Sequence, residues 1–83
     1  MKTLSKYELK TDNWYWATPI KDPSYYNRYL FKFTDLYEDG MGIEQVYGVH
    51  TDRFGTRESR FMEQKYTFTA ATMEDIVAYR LEN

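Results

Sequence analysis

The placement of its aromatic side chains decides what this chain can fold into. Nine Tyr, five Phe and two Trp stand against eleven Leu, Ile and Val in 83 residues. They recur at every second position in short runs bounded by Gly, Pro, Asn and Asp, and period two is the spacing of an extended strand. Tyr29, Phe31 and Phe33 share one face, with Arg28, Lys32 and Thr34 opposite. Leu30 and Leu36 break that alternation and point to a second, half-covered face. Trp14, Trp16 and Thr18 alternate with Tyr15 and Ala17; Ile43, Tyr47 and Val49 share a phase, as do Met62, Tyr66 and Phe68. Each ring can bury ~150–250 Å². The rings therefore supply the apolar area that sparse aliphatics cannot, and a folded domain with an aromatic core is expected.

Turn signals divide the chain into strand-like segments over 4–10, 14–20, 25–37, 43–54 and 57–69. Pro19 has no N–H to donate and ends its segment. Glu38-Asp39-Gly40-Met41-Gly42 makes a tight hairpin turn, and 52–56 closes a second one. Beyond Ala71 the period changes. Thr72 can cap a helix, with Asp75 in the capping-box position, and Met73, Ile76, Val77 and Leu81 fall on one stripe. Val77, Tyr79 and Leu81 also alternate, so a strand over 76–81 is the competing assignment. The expected architecture is α+β: one domain over 1–83, an antiparallel sheet of four to five strands, and a short C-terminal helix over about 72–82 packed on one face. The expected core is Tyr29, Phe31, Phe33, Tyr47, Val49, Tyr66, Phe68, Ile76, Val77 and Leu81.

Composition removes several function classes. The chain has no Cys, so disulfide scaffolds and thiolate metal sites are excluded and a reducing compartment is expected. Residues 1–6 lack the apolar run of a signal peptide, and no stretch approaches the ~18 apolar residues of a membrane span. A cytoplasmic location without membrane attachment follows. A net charge of -2 disfavours generic binding to a polyanion. The acidic segment from Asp35 to Gly40 fails as a calcium loop, with Tyr37 in the third position and Val46 in the twelfth. Gly40 and Gly42 lack the rest of a phosphate-binding signature. No metal and no cofactor is expected. His50, the single His, shares a strand face with Asp52 and faces Ser59 across a hairpin, but any polar hairpin presents such a trio. It reads as a hydrogen-bonded structural residue, and no catalytic residue is assigned. The Tyr29–Phe33 run lacks the glycines of RNA-recognition strands and reads as core.

What remains is binding. In Trp14-Tyr15-Trp16 and in Tyr25-Tyr26, adjacent rings point to opposite faces, and one helix covers only one face of a sheet. Trp14, Trp16, Tyr25 and Tyr26 are therefore expected to anchor a partner, because stiff aromatic side chains dominate protein interfaces. Glu38 and Asp39 suit a basic groove. Arg53, Arg57 and Arg60 surround the second hairpin and suit carboxylate or phosphate. The compact, acidic build resembles that of small phage or mobile-element inhibitors such as anti-CRISPR proteins, a likeness that no motif carries. The expectation is a non-catalytic inhibitor that occludes a host protein, with a nucleic-acid-binding protein or complex as the class suited to the acidic turn. Homodimerisation is the other use of exposed rings. The alternative is a single-stranded nucleic-acid binder using the rings with Arg53, Arg57 and Arg60, although direct nucleic-acid binding is disfavoured by the acidity. Charge reversal at Glu38 and Asp39 is expected to leave stability nearly unchanged.

Overall fold

A computed structural model describes residues 2–24, 27–52 and 55–82, with the backbone alone described at 51–52 and 80–82. A 3₁₀ turn, Lys6–Glu8, precedes β1 (Trp14–Pro19), β2 (Tyr29–Glu38), β3 (Glu44–Asp52), β4 (Gly55–Phe61), β5 (Tyr66–Ala70) and α1 (Met73–Glu82). The strands form one antiparallel sheet in the order β4-β3-β2-β1-β5. The α+β architecture with a single C-terminal helix is as the sequence predicts, and 76–81 is helix rather than strand.

Two segments differ from expectation. Residues 4–10 form no strand: Ser5 and Glu8 close a capping box around the 3₁₀ turn, and only Leu4 pairs with a strand, through a bridge to Phe68. The segment 57–69 is two strands. Its middle carries three consecutive polar residues, Glu63-Gln64-Lys65, and closes into a turn in which Lys65 and Tyr66 donate to the Met62 carbonyl at 2.9 and 3.1 Å. The chain then resumes on the far edge of the sheet, as β5 beside β1.

That crossover curls the sheet. Four spacings between five flat strands would separate the edges by roughly 19 Å. The chain from Phe61 to Tyr66 spans at most about 17 Å fully extended, and here it turns. The edges therefore approach at this end, where the Phe61 and Tyr66 rings lie 5.2 Å apart. The Phe31 side of the sheet becomes an inside, filled by Tyr15, Ala17, Phe31, Phe33, Val46, Phe61 and Phe68. Residues 4–13 close it. Leu9 is buried in the cluster, Leu4 packs against it, and the Lys10 N–H donates to the Tyr15 hydroxyl at 2.8 Å.

Among the described residues the outer face is covered only near β1. Trp16 is 2% exposed and Leu30 1% exposed. The Trp16 indole N–H donates to Asp75 at 3.2 Å, Tyr79 meets the indole edge-on at 5.7 Å, and the Arg28 guanidinium lies 3.6 Å from its centroid. Asp75 also completes the capping box: its N–H donates to the Thr72 hydroxyl at 3.1 Å, and its carboxylate accepts from the Thr72 N–H at 3.0 Å. These contacts turn Asp75, Ile76 and Tyr79 towards the sheet. Met73 and Val77, placed on the buried stripe by periodicity, are 74% and 51% exposed. Of the other expected core residues, Tyr29 is exposed, Tyr47, Val49, Tyr66 and Ile76 are half-buried, and the Leu81 side chain lies outside the described residues. Asp75→Ala removes the carboxylate half of the capping box and leaves a buried indole N–H without its acceptor. It should cost ~1–2 kcal/mol in a urea titration, and a shift within error would detach the helix from Trp16.

Candidate functional site: the open outer face

The helix packs on Trp16, and the outer face of β2, β3 and β4 continues beyond it. A bulge creates this surface. Phe33 pairs with Gly48 and Asp35 pairs with Tyr47, so Thr34 is an extra residue on β2. An inserted residue reverses the phase of everything after it. Leu36 therefore turns inward opposite Val46, and Tyr37 turns outward. Without the bulge, Tyr37 would follow Phe33 into the core and Leu36 would face solvent.

Tyr37 is 40% exposed, with the Arg60 guanidinium 4.2 Å from its ring centroid and the Tyr47 ring 6.4 Å away. The Tyr47 hydroxyl hydrogen-bonds Glu58, and that carboxylate, more than burial, holds the phenol above its ordinary pKa. Register places Arg60, Tyr47 and Asp35 in one row across the sheet, and Glu58, Val49, Lys32 and Trp14 in the next. The result is an aromatic centre with alternating charges around it.

Of the residues predicted to bind, Trp14 sits half-buried at one end of this face and Trp16 is sealed beneath the helix. Both faces around β1 are covered, one by the helix and the other by residues 4–13, and Trp16, expected as a partner anchor, is buried. Tyr25, Tyr26 and Arg53 lie outside the described residues. Arg57 and Arg60 are exposed but, three positions apart on a strand, they project to opposite faces. Arg60 shares the Asp35 row, so it lies towards the acidic turn rather than at the opposite end of the molecule. Tyr37 was not singled out by sequence and Tyr47 was assigned to the core, yet both carry the site; the available signal was Asp35, a carboxylate in the phase of Phe31 and Phe33.

Glu38 is exposed, whereas Asp39 organises the hairpin turn. Its carboxylate accepts from the N–H groups of Met41 at 2.8 Å and Ile43 at 3.1 Å, and from Gln45 at 3.4 Å. The backbone donors of Ile43 and then Met41 hold its pKa below the ordinary aspartate value. Asp75 is shifted the same way, first by the Thr72 N–H and then by Trp16. A lowered folded-state pKa gives stability that is complete above the unfolded aspartate value and is lost as pH falls through the folded one. Charge reversal therefore divides. Glu38→Lys should leave the melting temperature unchanged, and Asp39→Lys should lower it by several degrees at neutral pH. Equal melting temperatures for the two variants would remove Asp39 from the turn.

On the inner face His50 Nδ1 lies 2.6 Å from the Ser59 hydroxyl, diagonally across β3 and β4, with the Tyr29 ring 6.0 Å away. The Asp52 side chain lies outside the described residues. A cross-strand hydrogen bond accounts for the pair without chemistry. Among the described residues no group of three or more His, Asp or Glu could hold a metal ion, and no helix is long and apolar enough to cross a membrane. Compared with protein-family models, curated proteins and solved structures, the chain matches none.

Proposed function

We propose that this domain is a non-catalytic protein-binding module that occludes its partner's surface, docking through the outer face of β2, β3 and β4. Tyr37, Tyr47 and Arg60 form the centre, Trp14 one end, and Asp35 and Glu58 the acidic groups of this face, whereas Glu38 follows the inward phase of Leu36. Tyr25, Tyr26 and Arg53 stay as candidate contacts from the sequence. The observation that carries this reading is the Arg60 guanidinium stacked 4.2 Å from the half-exposed Tyr37 ring. Trp, Tyr and Arg are the side chains that dominate interface energetics, and a stacked pair loses little further freedom on binding. The surrounding charges are mixed, Asp35 and Glu58 against Lys32 and Arg60. That pattern suits a protein surface carrying both signs. A single-stranded nucleic acid would instead select unbalanced cations along a groove.

The test uses a partner captured from lysate of the source cell and then purified. Tyr37→Ala and Arg60→Ala should each weaken its binding by about 2 kcal/mol, roughly 30-fold. The melting temperature should change little, because neither side chain belongs to the core cluster. A partner bound equally well by both variants rejects this face. Binding of a labelled single-stranded oligomer at low salt that fades steeply with added salt would instead support the nucleic-acid reading.

A further inference from the structure

We propose that β4 pairs with β4 of a second copy, antiparallel and centred on Ser59, to make a symmetric dimer with a continuous sheet. β4 is an edge strand, and among the described residues no strand pairs with its outer side. Residues Gly55 to Glu58 and Arg60 are exposed. An edge of this kind is a template for another strand unless its side chains forbid the pairing. Charged residues usually do forbid it, so the order of charges along β4 decides the matter.

The order is Arg57-Glu58-Ser59-Arg60, with Glu58 and Arg60 on the outer face and Arg57 and Ser59 on the inner face. A two-fold axis perpendicular to the sheet keeps like faces together, so the axis must pass through a residue pair. Centred on Ser59, the pairing sets Glu58 of each copy opposite Arg60 of the other, twice, with the two Ser59 residues facing across the axis. Centred on Glu58, it sets Glu58 against itself. Centred on Arg57 or Arg60, it sets that arginine against itself. Directly opposed like charges destabilise a strand pair and opposite charges stabilise it. One register is thus self-complementary and its neighbours are repulsive. Within the chain, neither Glu58 nor Arg60 has an ion-pair partner among the described residues. The stack of Arg60 on Tyr37 leaves the guanidinium edge for a carboxylate. The Tyr47 hydrogen bond to Glu58 leaves that carboxylate with a second oxygen.

Only residues 57–61 of each copy pair in this register, so the interface is small and the dimer should dissociate on dilution. Sedimentation of the full chain, with no other protein present, tests it and leaves the docking reading to its own experiment. The mass should rise towards twice the 10.1 kDa chain as concentration increases. Glu58→Arg and Arg60→Glu should each weaken association about tenfold or more. The double variant Glu58→Arg, Arg60→Glu should restore it, which a merely structural role for either residue would not do. Because the chain has no Cys, Ser59→Cys supplies a single probe. Both pair spacings of an antiparallel ladder are compatible with a disulfide, so it should cross-link under mild oxidation while Thr56→Cys should not. Circular dichroism of each variant separates loss of pairing from loss of fold. A monomeric mass at every concentration together with no Ser59→Cys cross-link overturns the proposal. So does a dimer that survives both single reversals, or that the double reversal fails to recover.

Discussion

Phe31→Ala should lower stability by ~3–5 kcal/mol, the range for truncating a fully buried Phe. Phe31 has no exposed surface and lies at the meeting point of both halves of the curled sheet. Its ring centroid is 4.8 Å from that of Phe61, 5.9 Å from Phe68 and 6.1 Å from Tyr15. These neighbours sit on β4, β5 and β1 respectively, so no single element can move in to fill the space. Domains of this kind have about 5–15 kcal/mol in total, and at this size each kcal/mol is worth about 4–8 °C of melting temperature. A fall of roughly 15 °C or more is expected, followed by circular dichroism. Tyr29→Ala is the internal comparison: it lies in the same strand phase but is 40% exposed, and should lose much less. Similar losses at the two positions would mean that the ring cluster around Phe31 is not the centre of the core.

Phe31 was legible in the sequence because its signal is local. So were the Trp14–Pro19 strand, both hairpin turns and the Thr72–Asp75 cap, each written within a few neighbouring residues. What was not legible depends on distant contacts. Tyr66 and Phe68 alternate in phase with Met62, and nothing in that run says that β5 leaves β4 and pairs across the molecule with β1. The bulge at Thr34 cannot be read from alternation alone, yet it reverses Leu36 and Tyr37 and so creates the candidate site. Trp16 shows the third kind of gap. Trp14 and Trp16 must point to the face opposite Tyr15, but whether both faces are covered depends on where residues 4–13 and the helix settle. Met73 and Val77 have the right spacing for a buried stripe. The helix instead rotates to the pairing of Asp75 with Trp16, an interaction between residues 59 positions apart.

Gly48→Ala should destabilise by about 3 kcal/mol or more, against the preference of strands for Ala over Gly. Gly48 is buried in the middle of β3 between Phe33 on β2 and Ser59 on β4. It is not among the positive-φ glycines, so its backbone conformation is open to any residue, and on propensity alone the added methyl would help. Space decides otherwise. A Cβ there would stand 2.6 Å from a Phe31 ring carbon and 2.7 Å from the Lys32 carbonyl oxygen. The ring cannot swing away, because Tyr15, Phe61 and Phe68 hold it on other sides. The carbonyl belongs to the β2 backbone, whose ladder with β3 pairs Lys32 with Val49. Relief therefore requires the two central strands to separate or Phe31 to leave its place. The cycle with Phe31→Leu distinguishes these: a smaller side chain removes the ring contact but not the carbonyl contact, so the double variant should recover part of the Gly48→Ala loss and not all of it. Full recovery would assign the strain to the ring alone, and a Gly48→Ala protein as stable as the parent would mean that β2 and β3 do not approach as closely as the core packing requires.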